Sequence, residues 1–145
     1  MLPHARLDRG DDRSVATSRS TLRIVRQLFA VIQTRDTAAI WRMFADDGSV
    51  DFPFLGLRFT DFSSFDAVVG PLLAALDGLT YTEPTFVALA DPNGVIAKYH
   101  GHATITFTGK SYEQTYITEV HVRHGKIASY AEYFDTAVLN EAMTP

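Results

Sequence analysis

The sequence predicts an α+β domain in which helices come first and a meander of four long antiparallel strands follows. Two observations carry that expectation. Apolar residues recur at helical spacing before Tyr81 and at every second residue from Tyr81 onward. Turn signals then punctuate the strand region at Asp91-Pro92-Asn93-Gly94, Thr108-Gly109-Lys110-Ser111 and His124-Gly125. Helices packed on one face of a bent sheet enclose an apolar, cone-shaped interior, a natural small-molecule pocket.

The elements can be justified in order. Residues 1–19 are polar, mixed in charge and without period, and are expected to be a mobile arm; residues 20–145 form the single domain. From Ser20, Leu22, Val25, Phe29 and Ile32 make one apolar stripe, and Arg19, Arg23 and Arg26 a solvated face. Asp36 reads as the N-cap of a short helix carrying Ile40, Trp41 and Phe44. Asp46-Asp47-Gly48 breaks that helix, and residues 49–54 read as a short strand disturbed by Pro53. A third helix is expected after Ser63 or Ser64, with Phe65, Val68, Val69, Leu72 and Leu76 on its apolar side and Gly70-Pro71 inside it. Strands are expected over 81–90, 95–107, 112–123 and 127–135, then a short helical tail.

Composition narrows the function. At 145 residues, with 46% hydrophobic and 21% charged, the chain suits one globular domain with a real core. A net charge of −4 argues against a nucleic-acid-binding face, which needs a surplus of Lys and Arg. The absence of Cys excludes disulfides, a thiol nucleophile and Cys-ligated metal. No apolar run approaches the ~20 residues of a membrane span, and no secretory segment is evident, so a cytoplasmic location is expected. No phosphate-binding Gly-rich loop or nucleophile triad is present.

Parity sorts the two central strands. Ala97, Tyr99, Gly101, Ala103, Ile105 and Phe107 share one face; Lys98, His100, His102, Thr104 and Thr106 share the other. A four-residue connection at 108–111 pairs Phe107 with Tyr112 and brings Tyr112, Gln114, Tyr116, Thr118, Val120 and Val122 onto the same inner face. Tyr99 and Tyr116 are the groups placed to orient a ligand there. In the last hairpin two turns compete. A two-residue His124-Gly125 loop pairs Arg123 with Lys126 and turns Glu132 outward. A three-residue loop with a bulge pairs Val122 with Lys126 and turns Ala128, Tyr130, Glu132 and Phe134 inward.

Several segments together resemble the SnoaL-like branch of the NTF2-like superfamily. They are Arg35-Asp36, Phe44-Ala45-Asp46-Asp47, Gly109-Lys110-Ser111-Tyr112, and Gly125-Lys126-Ile127 leading into Glu132-Tyr133-Phe134-Asp135. The resemblance implies a cone-shaped, cystatin-like α+β barrel, with N-terminal helices on a curved antiparallel sheet, usually as a homodimer. The superfamily includes polyketide cyclases, ketosteroid isomerases, limonene-type epoxide hydrolases and phenazine-biosynthesis A/B proteins, so the fold alone selects no reaction. Glu132 matches the position of a catalytic Asp in the cyclases and epoxide hydrolases, which favours the inward register. Tyr99 and Gly101 stand where the epoxide hydrolases carry Arg and Asp, and Val50 and Phe52 where they carry Tyr and Asn. Epoxide hydrolysis is therefore not expected.

The expected activity is cofactor-independent acid/base isomerisation or cyclisation of a small apolar, oxygenated molecule of polyketide, steroid or terpene type. Glu132 is the acid/base, a buried carboxylate with a raised pKa, and Tyr99 and Tyr116 are the orienting or oxyanion groups. Gln114, Tyr130, Phe134, Trp41, Phe52, Ala103 and Thr118 line the pocket. The alternative is a non-catalytic ligand-binding or dimeric interaction module on the same fold. On the outer face His100, His102 and Glu119, with His121 diagonal, could hold a metal. Cross-strand charge pairing explains the same residues, and no metal is expected.

Overall fold

The computed structural model describes residues 16–145. The expected arm therefore lies mostly outside the described residues, but Ser18 is already a helix cap. Its hydroxyl accepts from the Thr21 N–H at 3.1 Å, opening helix α1 (Arg19–Ile32). The predicted stripe is buried on the interior side of α1 through Val25, Phe29 and Ile32, joined by Leu28. Helix α2 (Thr37–Trp41) is capped by Asp36, whose carboxylate accepts from the Ala39 N–H at 3.0 Å. Helix α3 (Phe62–Ala75) begins earlier than expected because Asp61, accepting from the Ser64 N–H at 2.8 Å, supplies its cap. It runs through Pro71, whose missing N–H leaves the Ala67 carbonyl without its helical donor. Helix α4 (Thr136–Met143) is capped by Asp135.

These helices pack on a curved sheet that does not close. Its strands are β1 (Phe44–Phe52), β2 (Leu57–Phe59), β3 (Leu76–Tyr81), β4 (Thr85–Ala88), β5 (Gly94–Ile105), β6 (Ser111–Arg123) and β7 (Lys126–Phe134). Their order is β2-β1-β7-β6-β5-β3, with β4 also on β5. The β5–β6–β7 meander is antiparallel as predicted, whereas β1 joins β7 in parallel. Of the strand expected over 81–90, residues 85–88 form β4, while Tyr81 is the last residue of β3, which begins at Leu76, a residue expected on the helix. Both strands pair with β5, and Pro84 lies in the break between them. Asp46-Asp47-Gly48 is no helix-breaking turn. It lies inside β1 as an irregularity between the pairs Phe44–Ile127 and Ser49–Ser129.

The β5–β6 hairpin turns early, with the Gly109 N–H bonded to the Ile105 carbonyl at 2.8 Å. Tyr112 consequently pairs with Ala103 rather than Phe107, and Phe107 is 62% exposed instead of facing inward. The displacement from residue 107 to residue 103 is four positions, an even number, so every other face assignment survives. Ala97, Tyr99, Ala103 and Ile105 are buried with Tyr112, Gln114, Tyr116, Thr118 and Val120.

The β6–β7 hairpin combines the two predicted alternatives. The turn is the two-residue one, with His124 at φ 52° and Gly125 at φ 76°, pairing Arg123 with Lys126 and Val122 with Ile127. The bulge lies further along. His121 pairs with Ser129, which leaves Ala128 as the extra residue, and from there Val120 faces Tyr130 and Thr118 faces Glu132. Ile127 and Tyr130 both point inward in consequence, being 0% and 4% exposed. Ala128 is the residue that turns Glu132 into the cone.

The irregularity in β1 packs against this bulge. A Cβ on Gly48 would lie 3.0 Å from the Ile127 carbonyl oxygen and 2.9 Å from that of Ala45, both rigid backbone atoms. Gly48→Ala is expected to cost roughly 1–3 kcal/mol of stability by overpacking, read as a lower midpoint in urea unfolding with an unchanged slope.

Candidate functional site

The interior cavity lies between the helices and the inner face of the sheet. Leu28 and Ile32 of α1, Val69 and Leu73 of α3, and Val50 and Phe52 of β1 form its apolar walls. Its polar groups come from the strands: Tyr81 of β3, Tyr112 and Tyr116 of β6, and Tyr130 and Glu132 of β7. Glu132 is the only charged residue among them. A volume of about 60 Å³ is open to water-sized molecules, room for only a handful of water-sized groups. Seating a ligand of several rings requires the apolar walls to part.

Glu132 receives one hydrogen bond, from the Tyr130 hydroxyl to Oε1 at 2.6 Å. Among the described residues it belongs to no ion pair; the acidic groups that do are on the exterior. Glu132 is half-buried and lines the cavity. Desolvation raises its pKa from 4.5 to about 7, and the Tyr130 bond, which favours the ionised form, offsets only part of that rise. The tyrosines respond in turn. Burial first, then the charge on Glu132, pushes the phenols of Tyr99, Tyr116 and Tyr130 well up. They can donate hydrogen bonds here but will not ionise near neutral pH.

The residues expected at the site divide into two groups. Glu132, Tyr116, Tyr130, Phe134 and Phe52 line the cavity; Tyr99, Gln114, Trp41, Ala103 and Thr118 do not. Tyr99 and Thr118 face inward but spend their hydroxyls on each other at 2.8 Å. Gln114 is a structural tie. Its Nε2 donates to the Tyr112 hydroxyl at 2.9 Å and the Asp135 carbonyl at 2.8 Å, and its Oε1 accepts from the Asp135 N–H, fixing β6 to the start of α4. Trp41 stacks on Phe44, 5.4 Å between ring centres, one layer behind the wall. Tyr81 was missed because it sits at a strand end, where alternation gives no direction. The outer-face histidines do not assemble as expected. The early turn puts Thr115 opposite His100 and Ile96 opposite Glu119, and Glu119 pairs with His121 at 2.7 Å.

This arrangement of helices on an open curved sheet around an apolar cavity is that of the NTF2-like proteins, and the chain belongs to the SnoaL-like domain family, which matches residues 25–130. YesE of Bacillus subtilis is 36% identical over 63 residues, a match spanning 43% of this chain and 43% of YesE. A PhzA/B-like protein of Pseudomonas aeruginosa is 25% identical over 109 residues, covering 72% of this chain and 77% of its own length. A Bacillus subtilis protein provisionally described as an isomerase has the same fold. It is 24% identical, with a TM-score of 0.75 over 85% of this chain and 91% of its own.

The raised carboxyl makes stability depend on pH with a definite sign. The folded state binds the Glu132 proton more tightly than the unfolded state, so stability declines as pH rises from 4.5 toward 7 and levels off above. Glu132→Gln removes this penalty. It should stabilise the protein by about 2–3 kcal/mol at pH 8 and by less than ~0.5 kcal/mol at pH 4, measured by chemical denaturation at both pH values.

Proposed function

We propose that the chain is a cofactor-independent isomerase or cyclase of SnoaL type, moving a proton on a small, apolar, oxygenated ligand. The observation that carries this reading is Glu132, a lone carboxylate in an apolar cavity, without counter-ion among the described residues, its pKa raised to about 7. A group poised there holds comparable amounts of acid and base at neutral pH, which suits taking a proton from one carbon and returning it to another. Tyr130 orients the carboxyl through its 2.6 Å bond. Tyr116, on the cavity wall with its hydroxyl beside that of Tyr112, is an orienting donor. Tyr99 supports the site indirectly, through Thr118. The apolar walls select carbon skeletons, of which polyketide-, steroid- and terpene-type molecules are the larger examples; the small open volume favours compact ones.

The resemblance also implies a homodimer. Ile117 and Phe54, 41% and 68% exposed on the outer side of the sheet beside Tyr133, support a contact between two copies there.

A second reading, a non-catalytic binding module, is favoured by one observation: among the described residues no cationic group assists Glu132. Conversion of 3-cyclohexenone to the conjugated 2-cyclohexenone, followed by ultraviolet absorbance, separates the two readings. Catalysis predicts a rate above buffer that rises with pH through about 7 as Glu132 ionises, and a loss of at least ~100-fold in Glu132→Gln. A pH-independent rate, or one untouched by the substitution, supports the binding module instead.

A further inference from the structure

The cavity at Glu132 is small, so the place where its wall opens decides what reaches the carboxyl. Most of its lining residues are buried. Besides Glu132, those left half-buried are Leu72, Tyr81 and Leu139, and they lie in two places. Tyr81 ends β3, where its ring packs against Phe29, Tyr99 and Tyr116, with centres 6.0, 4.9 and 5.6 Å away. Its N–H is bonded to Gln33 Oε1 at 3.0 Å. A ring wedged among three others on a pinned backbone is a plug, because moving it breaks packing on every side.

Leu72 and Leu139 are placed differently. One belongs to α3 and the other to α4, and these two helices make little direct contact. Each is tied instead to the turn between β5 and β6. The Thr106 N–H donates to the carbonyl of Ala75, the last residue of α3, at 3.0 Å. The Thr108 hydroxyl donates to the Ala142 carbonyl near the end of α4 at 2.8 Å. Lys110 Nζ donates to the Glu141 carbonyl at 3.1 Å and to its carboxylate at 3.2 Å.

Leu72 stands one helical turn before Ala75, and Leu139 one turn before Ala142, each about 4.5 Å along its helix. The two leucines therefore flank the seam between α3 and α4 at similar distances from the strand turn that holds both helices. Pro71 adds to this. It precedes Leu72 directly and removes one helical hydrogen bond, so α3 is weakened beside the seam. Half-buried leucines change rotamer more readily than a ring held by three neighbours.

We propose that ligands enter the cavity between α3 and α4, and that Leu72 and Leu139 set the width of what is admitted. The ligand class follows from the lining. An ion crossing a hydrocarbon seam gives up its hydration with nothing in return, so the seam passes uncharged molecules. A flat ring passes edge-on between two side chains where a branched skeleton is held back. This goes beyond the acid/base reading of Glu132 and does not rest on it, since a binding module needs an entrance as much as an enzyme does.

The chain contains no Cys, so a single one placed inside reports access without background. Val50→Cys is a small change on the β1 wall, where Val50 is 2% exposed. Its modification in the native protein is followed with a linear reagent, methyl methanethiosulfonate, and with a two-ring reagent, 4,4′-dithiodipyridine. Adding Leu72→Ala or Leu139→Ala should speed the two-ring reagent by about fivefold or more, and the linear one by a smaller factor. Leu28→Ala, a truncation at a fully buried lining position on α1, controls for loosening of the core. It and Tyr81→Leu should each speed the two-ring reagent by less than about twofold. An equal or larger acceleration in Leu28→Ala would assign access to general unfolding, and one in Tyr81→Leu would move the entrance to β3; either overturns the proposal. So does a two-ring rate that neither Leu72→Ala nor Leu139→Ala changes, including no modification in any of the proteins.

Discussion

Among the described residues, Glu132 meets one hydrogen-bond donor, Tyr130, and no cation in a cavity whose walls are almost wholly apolar. An ionised carboxylate there is costly, and such groups relieve the cost by keeping their proton longer. The result is a carboxyl that titrates near neutrality. Each surrounding tyrosine is held firmly as a neutral donor by the same burial and the same charge. The site therefore contains one group that changes protonation and several that do not, the minimum for moving a proton under control.

That balance depends on a backbone feature. Without the extra residue at Ala128, the two-residue turn would send Glu132 to the outer face and bring its neighbours inward. The bulge is stabilised from the other side by β1, whose own irregularity places Gly48 against the Ile127 carbonyl. The parallel β1–β7 pairing is thus a support for the site as well as a seam in the sheet. Gly101 does similar work on the opposite wall, where two aromatic rings pass over a strand that has no side chain to obstruct them. Both glycines are used for close approach, and neither needs a left-handed backbone.

Much of this was legible in the sequence, for reasons that can be traced residue by residue. Alternation along β5 and β6 assigned the inner face correctly even though the hairpin register was displaced, because an even displacement preserves parity. Asp36 announced a helix start through cap chemistry. The bulge at Ala128 was not legible in position, since Lys126-Ile127-Ala128-Ser129 has no composition that marks one, and a two-residue turn followed by a bulge satisfies both competing patterns. Parity also says which face a side chain takes but not what its polar end touches. Tyr99, Thr118 and Gln114 were placed inward correctly, and their hydrogen bonds then turn out to be spent within the protein. Tyr81 was not legible as a cavity residue because β3, which it ends, begins at Leu76, a residue the helical spacing claims, so the expected strand starts only at Tyr81.

The central claim is that burial without a counter-ion holds the Glu132 carboxyl near neutrality while Tyr130 holds it in place. Titration of the Glu132 side-chain carbon by ¹³C NMR, assigned with the Glu132→Gln protein, tests it directly. The native protein should show a midpoint close to 7, and Tyr130→Phe a higher one, because the Tyr130 hydrogen bond that favours the ionised form is gone. A native midpoint near 4.5, the ordinary value for this group, would contradict it.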